Sequence, residues 1–220
     1  YPLEPDVLIE TLGQAGRGVD GVIIVPAFGD AGRITVGSVH YAGSEVAGYL
    51  PVGQTEFARD ASFGYAASNL REWVQEKSAG RFAAADVAAI TLGVLREGAE
   101  AVAAVLGSLT DATPVVVDIA EESDLRVLAL GVLQAEAAGK RFVHRVGPPF
   151  VRALIGQDVL EPLTADDVAA IREGGRGEHA NHGLVVVGSH VALTTRQLDA
   201  LRSRRSPAEL EIDVAQVLGV

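Results

Sequence analysis

Gly21-Val-Ile-Ile-Val25 is an apolar run of five residues closed by Pro26, and its reading decides the fold. A half-buried strand alternates apolar and polar side chains. A run without alternation, bounded by turn residues, belongs to a strand covered on both faces, as in parallel sheets flanked by helices. The same reading fits Val87-Ala-Ala-Ile-Thr91, Pro114-Val-Val-Val-Asp118, Arg141-Phe-Val-His144 and, further on, Leu184-Val-Val-Val187. Around these runs lie helical patterns at 5–14, where Val7, Leu8 and Leu12 follow acidic Glu4 and Asp6, and at 69–77, 98–106, 123–138 and 148–155. Asn69 with Glu72 offers a capping pair, and Gly80, Gly107 and Gly139 stand where helix C-caps belong. Strand and helix alternating at intervals of about twenty-five residues is the sequence form of βαβ crossovers. The fold class is therefore α/β: a three-layer, mostly parallel sheet with helices on both faces, plus the start of a second α/β domain.

The rhythm breaks at 157–182, where Pro162, Gly174-Gly-Arg-Gly177 and Glu178-His-Ala-Asn-His182 bring in polar and glycine-rich sequence. Thr164-Ala-Asp-Asp-Val168 opens with an N-cap signal, so the linker is expected to contain a helix. Beyond it come an expected strand at 184–187, a helix at 194–201 and a strand over Glu209-Leu-Glu-Ile-Asp213. These boundaries divide the chain into a first domain at 1–156, a linker at 157–182 and the beginning of a second domain at 183–220.

The 220 residues include 18 basic and 29 acidic ones, a net charge of -11 that disfavours a nucleic-acid backbone or an anionic membrane as partner. Without cysteine, disulfides, thiolate metal sites and cysteine nucleophiles drop out. The chain also has no methionine and begins Tyr-Pro-Leu-Glu-Pro, which reads as a piece of something longer. No apolar run reaches the roughly eighteen residues of a membrane span, and a cytoplasmic location is expected.

Chemistry-bearing residues gather in Pro26-Ala-Phe-Gly-Asp-Ala-Gly-Arg-Ile-Thr-Val-Gly-Ser-Val-His-Tyr41 and in Pro51-Val-Gly-Gln-Thr-Glu-Phe-Ala-Arg-Asp-Ala-Ser-Phe-Gly-Tyr65. Neither these nor the rest of the chain contains a Walker A loop or G-x-S-x-G. Arg33, after Gly32 and past a parallel strand's end, reads as a bidentate carboxylate grip or as a surface partner of Asp30. His40 reads as a hydrogen-bond donor to a sugar hydroxyl, a general base, or an imidazole held by a backbone carbonyl. Thr55, Glu56 and Asp60 supply a hydroxyl and two carboxylates suited to hydroxyl recognition or one Mg²⁺ contact, or else a solvated loop. Phe63, Tyr65 and Trp73 are read as core, and His179 with His182 as a solvated linker pair rather than metal ligands. Gly188-Ser189, ahead of Thr194-Thr195, suits a phosphate or a ribose, or is an ordinary βα turn. Arg202-Ser-Arg-Arg205 reads as a helix C-terminus complementing its dipole.

Taken together, Gly32, Arg33, Thr35, Gly37, His40 and Tyr41, then Pro51, Val52, Thr55, Glu56, Phe57, Ala58, Asp60, Phe63, Gly64 and Tyr65, then Gly188 and Ser189, resemble the four-carbon acid sugar kinase family, formerly a domain of unknown function. The resemblance runs over nearly the whole chain. It implies an amino-terminal domain that binds a sugar acid, a carboxy-terminal domain that binds ATP, and a site between them. The implied reaction is ATP- and Mg²⁺-dependent phosphorylation of the terminal hydroxyl of threonate, erythronate or 3-oxo-tetronate. Arg33, Thr35, His40 and Asp60 would then be substrate-binding, and Gly188 and Ser189 would touch the nucleotide. No catalytic residue is assigned, and homo-oligomer formation is compatible with the resemblance. The family's acidic amino-terminal segment, its Asp-Ser-Thr-Leu-Arg-Gly segment and its glycine-rich nucleotide loop are missing from this sequence, so the piece assayed alone is expected to be inactive. Pro149 stands where relatives commonly have Ser, and no role is assigned to Arg145-Val-Gly-Pro-Pro-Phe150. The reading from another class is a sugar-acid sensor or interaction module without phosphoryl transfer; an oxidoreductase on an α/β sheet has only fold analogy behind it.

Overall fold

A computed structural model describes residues 3–44, 46–60, 64–174, 183–189 and 191–219. The chain divides into two units, Tyr1–Leu160 and Glu161–Val220.

In the first unit the chain runs α1 (Leu3–Gln14), β1 (Gly21–Val25), β2 (Arg33–Val36), β3 (Val39–Ser44), β4 (Gly48–Pro51), α2 (Leu70–Lys77), β5 (Ala88–Ile90), α3 (Leu92–Glu97), α4 (Ala99–Gly107), β6 (Thr113–Val117), α5 (Glu122–Ala137), β7 (Phe142–Val146) and α6 (Pro148–Leu154). The four apolar runs read as buried strands form one parallel sheet in the order β5-β6-β1-β7. Every residue of β1 is buried. Its side chains alternate between two cores: Ile23 and Val25 pack with residues of α3, α4, α5 and α6, while Val22 and Ile24 pack with residues of α1 and α2. Val22, Ile23 and Val25 have no exposed surface, and each such side chain contributes about 1.5–3 kcal/mol of hydrophobic stabilisation. The continuous apolar pattern of β1 follows from this double coverage.

The crossovers obey one handedness. From β1 the chain moves towards the β5 edge with α2 on one face, and it returns to β6 and on to β7 with α4 and α5 on the other. Moves in opposite directions across a sheet must use opposite faces when every βαβ connection has the same hand.

Between β1 and α2 the chain builds a second sheet, antiparallel and three-stranded, in the order β2-β3-β4. Val36 pairs with Val39 across a two-residue turn in which Gly37 and Ser38 both adopt positive φ, 60° and 63°. That turn's twist matches the twist of its strands. Three backbone N–H groups donate to the buried Asp118 carboxylate at the end of β6: Gly37 at 3.0 Å, Ser38 at 2.7 Å and Leu92 at 3.3 Å. Thr35 and Ile119 exchange two further backbone hydrogen bonds of 2.8 Å. The hairpin is thereby fastened to the carboxyl edge of the parallel sheet.

The second unit holds α7 (Ala165–Gly174), α8 (Ala192–Arg205) and α9 (Val214–Leu218). The expected linker helix is α7, entered through hydrogen bonds between Thr164 and Asp167, and the helix expected at 194–201 lies within α8. The strands expected at 184–187 and 209–213 are corrected: both stretches lack strand pairing, and Leu184 and Val186 are 88% and 84% exposed. An apolar run becomes a strand only when a neighbour takes its N–H and C=O groups, and no described residue does so here. The C-terminal basic cluster ends α8 as read, with Arg202 donating to both Glu209 carboxylate oxygens. His179 and His182 lie outside the described residues.

Candidate functional site

At the carboxyl ends of β1 and β7, where open α/β sheets receive ligands, the first unit has a cavity of about 440 Å³ that is open to solvent. Arg33, His40, Tyr65, Trp73 and Arg145 provide its polar and aromatic lining.

Arg33 opens β2 immediately after Gly32, whose φ is 66°. A Cβ on Gly32 would lie 1.8 Å from the Gly43 carbonyl oxygen, so only glycine lets the chain turn here against β3. The Arg33 guanidinium lies 4.7 Å from the centre of the Phe57 ring, which holds the planar cation without neutralising it. Asp30, the surface partner that the sequence offered, sits 3.6 Å from Arg152 instead. Among the described residues no carboxylate pairs with Arg33.

His40 faces Thr35 across the β2–β3 ladder, and this register brings its Nδ1 to 3.0 Å from the Thr35 hydroxyl. Burial pushes the imidazole down to about 4; the Arg33 cation acts in the same direction, and a hydrogen bond to the Ile34 carbonyl opposes both. The ring is therefore neutral at physiological pH, offering one donor and one acceptor. Thr35 itself is fully buried and lies beneath the cavity as the support of His40 rather than in its lining. Asp60 is half-buried after the 3-10 turn Glu56–Arg59 and is not in the lining; its carbonyl accepts from Gly64 at 2.8 Å.

Tyr65 and Trp73, read from sequence as core, are half-buried and line the cavity; Phe63 lies outside the described residues. The segment carrying Tyr65 is held against α2, where the Glu76 carboxylate accepts from Ala66 and Ala67 N–H groups and the Lys77 ammonium donates to the Gly64 carbonyl. Burial raises the Tyr65 phenol above its usual value, so it stays protonated. Thr55, taken as a candidate for hydroxyl recognition, donates to the Val52 carbonyl at 2.7 Å. Among the described residues no group of three or more histidines and carboxylates could hold a metal ion.

Arg145 was missed by the sequence reading. It stands one residue beyond the strand end placed at His144, and β7 continues to Val146. Its guanidinium lies 5.7 Å from the Trp73 ring centre and pairs with the Glu4 carboxylate of α1. On a chain of net charge -11, the cavity thus presents two guanidinium groups, and no described carboxylate lines it. A second, smaller cavity of about 80 Å³ lies between Asp30, Glu122 and Arg152, room for a few waters.

Gly188 and Ser189 lie in the second unit. The Ser189 hydroxyl accepts from the Val191 N–H at 3.4 Å and from the Thr194 hydroxyl at 3.3 Å, ahead of the 14-residue helix α8.

Residues 1–154, which include the whole cavity lining, match the family model of the sugar-binding N-terminal domain. The chain belongs to this family. Among solved structures it is similar to a Haemophilus influenzae protein of the DUF1537 family, with 19% identity and a TM-score of 0.50 over 96% of this chain and 44% of that one. A protein of Salmonella typhimurium LT2 aligns with 17% identity and a TM-score of 0.52 over 97% of this chain and 44% of its own. A Bordetella bronchiseptica domain of unknown function of the same DUF1537 family, crystallised with citrate as a domain-swapped dimer, aligns with 22% identity and a TM-score of 0.44 over 72% and 38%. Such identities establish the fold alone, and the chain spans less than half the length of these structures. No curated protein matches the sequence. The matched residues 1–154 carry the parallel sheet, the inserted antiparallel sheet and the described lining of the cavity.

Proposed function

We propose that the cavity binds a four-carbon sugar acid, threonate, erythronate or 3-oxo-tetronate, and that the protein phosphorylates its terminal hydroxyl with ATP. The observation that carries this reading is the presence, in one cavity lining, of an Arg33 cation that no described carboxylate pairs and a neutral His40 imidazole. A guanidinium grips a carboxylate through two parallel hydrogen bonds. The neutral His40 imidazole adds no second charge to compete for the carboxylate. Tyr65 and Trp73 offer ring faces to the C–H side of a polyol and exclude water.

ATP supplies the phosphoryl group, and Mg²⁺ the charge that such transfers need. The chain's own contribution is to position the acceptor hydroxyl. Ser189 fits a phosphate contact: its oxygen accepts two hydrogen bonds locally, which leaves its proton to donate to an anion. That every described lining residue falls within 24–147 favours a second reading, a sugar-acid-binding module that works without phosphoryl transfer.

A coupled ADP-release assay of the full-length protein against the stereoisomeric tetronates separates the two. Acid-dependent ADP production supports the kinase, whereas saturable acid binding without ADP release assigns the binding module.

A further inference from the structure

We propose that Glu76, which lies outside the cavity lining, is a positioning residue of the sugar-acid site: its carboxylate fixes the segment 64–67 and so sets Tyr65 as part of the cavity wall. The inference rests on the reading of this cavity as the sugar-acid site and adds to it a residue that acts through Tyr65.

Residues 64–68 form neither helix nor strand, so their N–H groups need acceptors from elsewhere in the chain or from water. Tyr65 and Ala67 of this segment line the cavity. One Glu76 carboxylate oxygen accepts from the Ala66 and Ala67 N–H groups, both at 3.1 Å, and the other lies 3.3 Å from the Ala66 nitrogen. Lys77, 3.4 Å from Glu76, donates to the Gly64 carbonyl, so the segment is gripped on both sides of Tyr65. Burial acts to raise the Glu76 carboxyl, but the Ala67 and Ala66 N–H groups and the Lys77 ammonium outweigh it and hold the group below its ordinary value. The carboxylate is therefore ionised at physiological pH, and its contacts are charge-assisted. Downstream, the Ser68 carbonyl accepts from the His40 N–H at 2.9 Å, which ties the same segment to β3. Trp73 lies three residues before Glu76 on α2 and also lines the cavity. One helix thus places two aromatic lining residues, Trp73 directly and Tyr65 through Glu76.

The test is calorimetric titration of threonate and erythronate into the 220-residue chain and its variants, read with whichever acid the wild type binds more tightly. Glu76→Ala should weaken binding about three- to tenfold, the size of charge-assisted hydrogen bonds discounted for a carboxylate that is 33% exposed. Glu76→Gln keeps an acceptor oxygen for the two N–H groups and should stay within about twofold of the wild type. Tyr65→Ala should lose at least as much as Glu76→Ala. In the Tyr65→Ala background, Glu76→Ala should add less than about twofold, because the side chain it positions is gone. Arg71→Ala, on the same helix, removes hydrogen bonds to the Ala84 and Ala85 carbonyls, at 2.9 and 3.0 Å, and should leave the Kd within about twofold. A Glu76→Ala loss that recurs in full without the Tyr65 side chain, that Arg71→Ala matches, or that is absent would overturn the proposal and leave the sugar-acid reading intact. Unchanged binding by Tyr65→Ala would do the same, whether or not Glu76→Ala folds. Failure of the wild type to bind either acid would overturn both.

Discussion

At His40, burial and the neighbouring Arg33 cation both disfavour the charged imidazole and hold its pKa at about 4, against an ordinary value of 6.5. Between those two values the unfolded chain binds more protons than the folded one. The contribution of His40 to stability is therefore complete above pH 6.5 and falls as the pH drops towards 4. Two and a half pKa units correspond to about 3 kcal/mol. Urea unfolding of the wild type and of His40→Gln at pH 7 and 4.5 should show a smaller acid loss in the variant, by about 2 kcal/mol, since part of the shift is expressed only below pH 4.5; equal losses would contradict the buried, neutral imidazole. His144 is lowered by burial too, so the variant removes only part of the acid sensitivity. Arg33 and His40 were legible in the sequence because a glycine, a cation and an imidazole crowd the end of an apolar strand. Thr35 was legible as a member of the block but not as the support beneath it. Once β2 is known, its period of two puts Thr35 on the same face as Arg33 and opposite His40, where full burial keeps it out of the lining. Tyr65 and Trp73 were read as core because spacing does not say which aromatic face stays open.

The β2–β3 hairpin is the element that carries the site, and Asp118 fastens it. Asp118→Ala removes the acceptor of three backbone N–H groups at a position with 3% exposure. The variant should be less stable by about 2–4 kcal/mol, with faster hydrogen exchange at Gly37 and Ser38. Unchanged protection of those two amides would show that the hairpin holds without Asp118. This hairpin had a local signature, since Gly37-Ser38 stands between Val36 and Val39 with alternating side chains on either side. Its polar residues read first as chemistry, which masks the strand period. The helices were easier to read, since α2, α4, α5 and α6 begin and end within about two residues of their capping and periodicity signals.

For the molecule as a whole, the four parallel strands and both helical layers were legible because β1 is buried on both faces and its sequence carries no polar position. The second unit was less so: α7 and α8 followed local signals, α9 was not read, and 184–187 and 209–213 depend on strand partners that no described residue supplies. The functional consequence belongs to the first unit, where an acidic chain holds two guanidinium groups around one cavity. Titration of threonate, erythronate and 3-oxo-tetronate into the wild-type chain and into Arg33→Lys tests that arrangement most directly. We expect saturable binding of at least one acid by the wild type. In the lysine variant that binding should weaken by about 1.5–3 kcal/mol, as a point charge replaces the bidentate fork. No saturable binding of any acid, or a Kd unchanged by the substitution, would contradict the assignment of this cavity as a sugar-acid site built on Arg33.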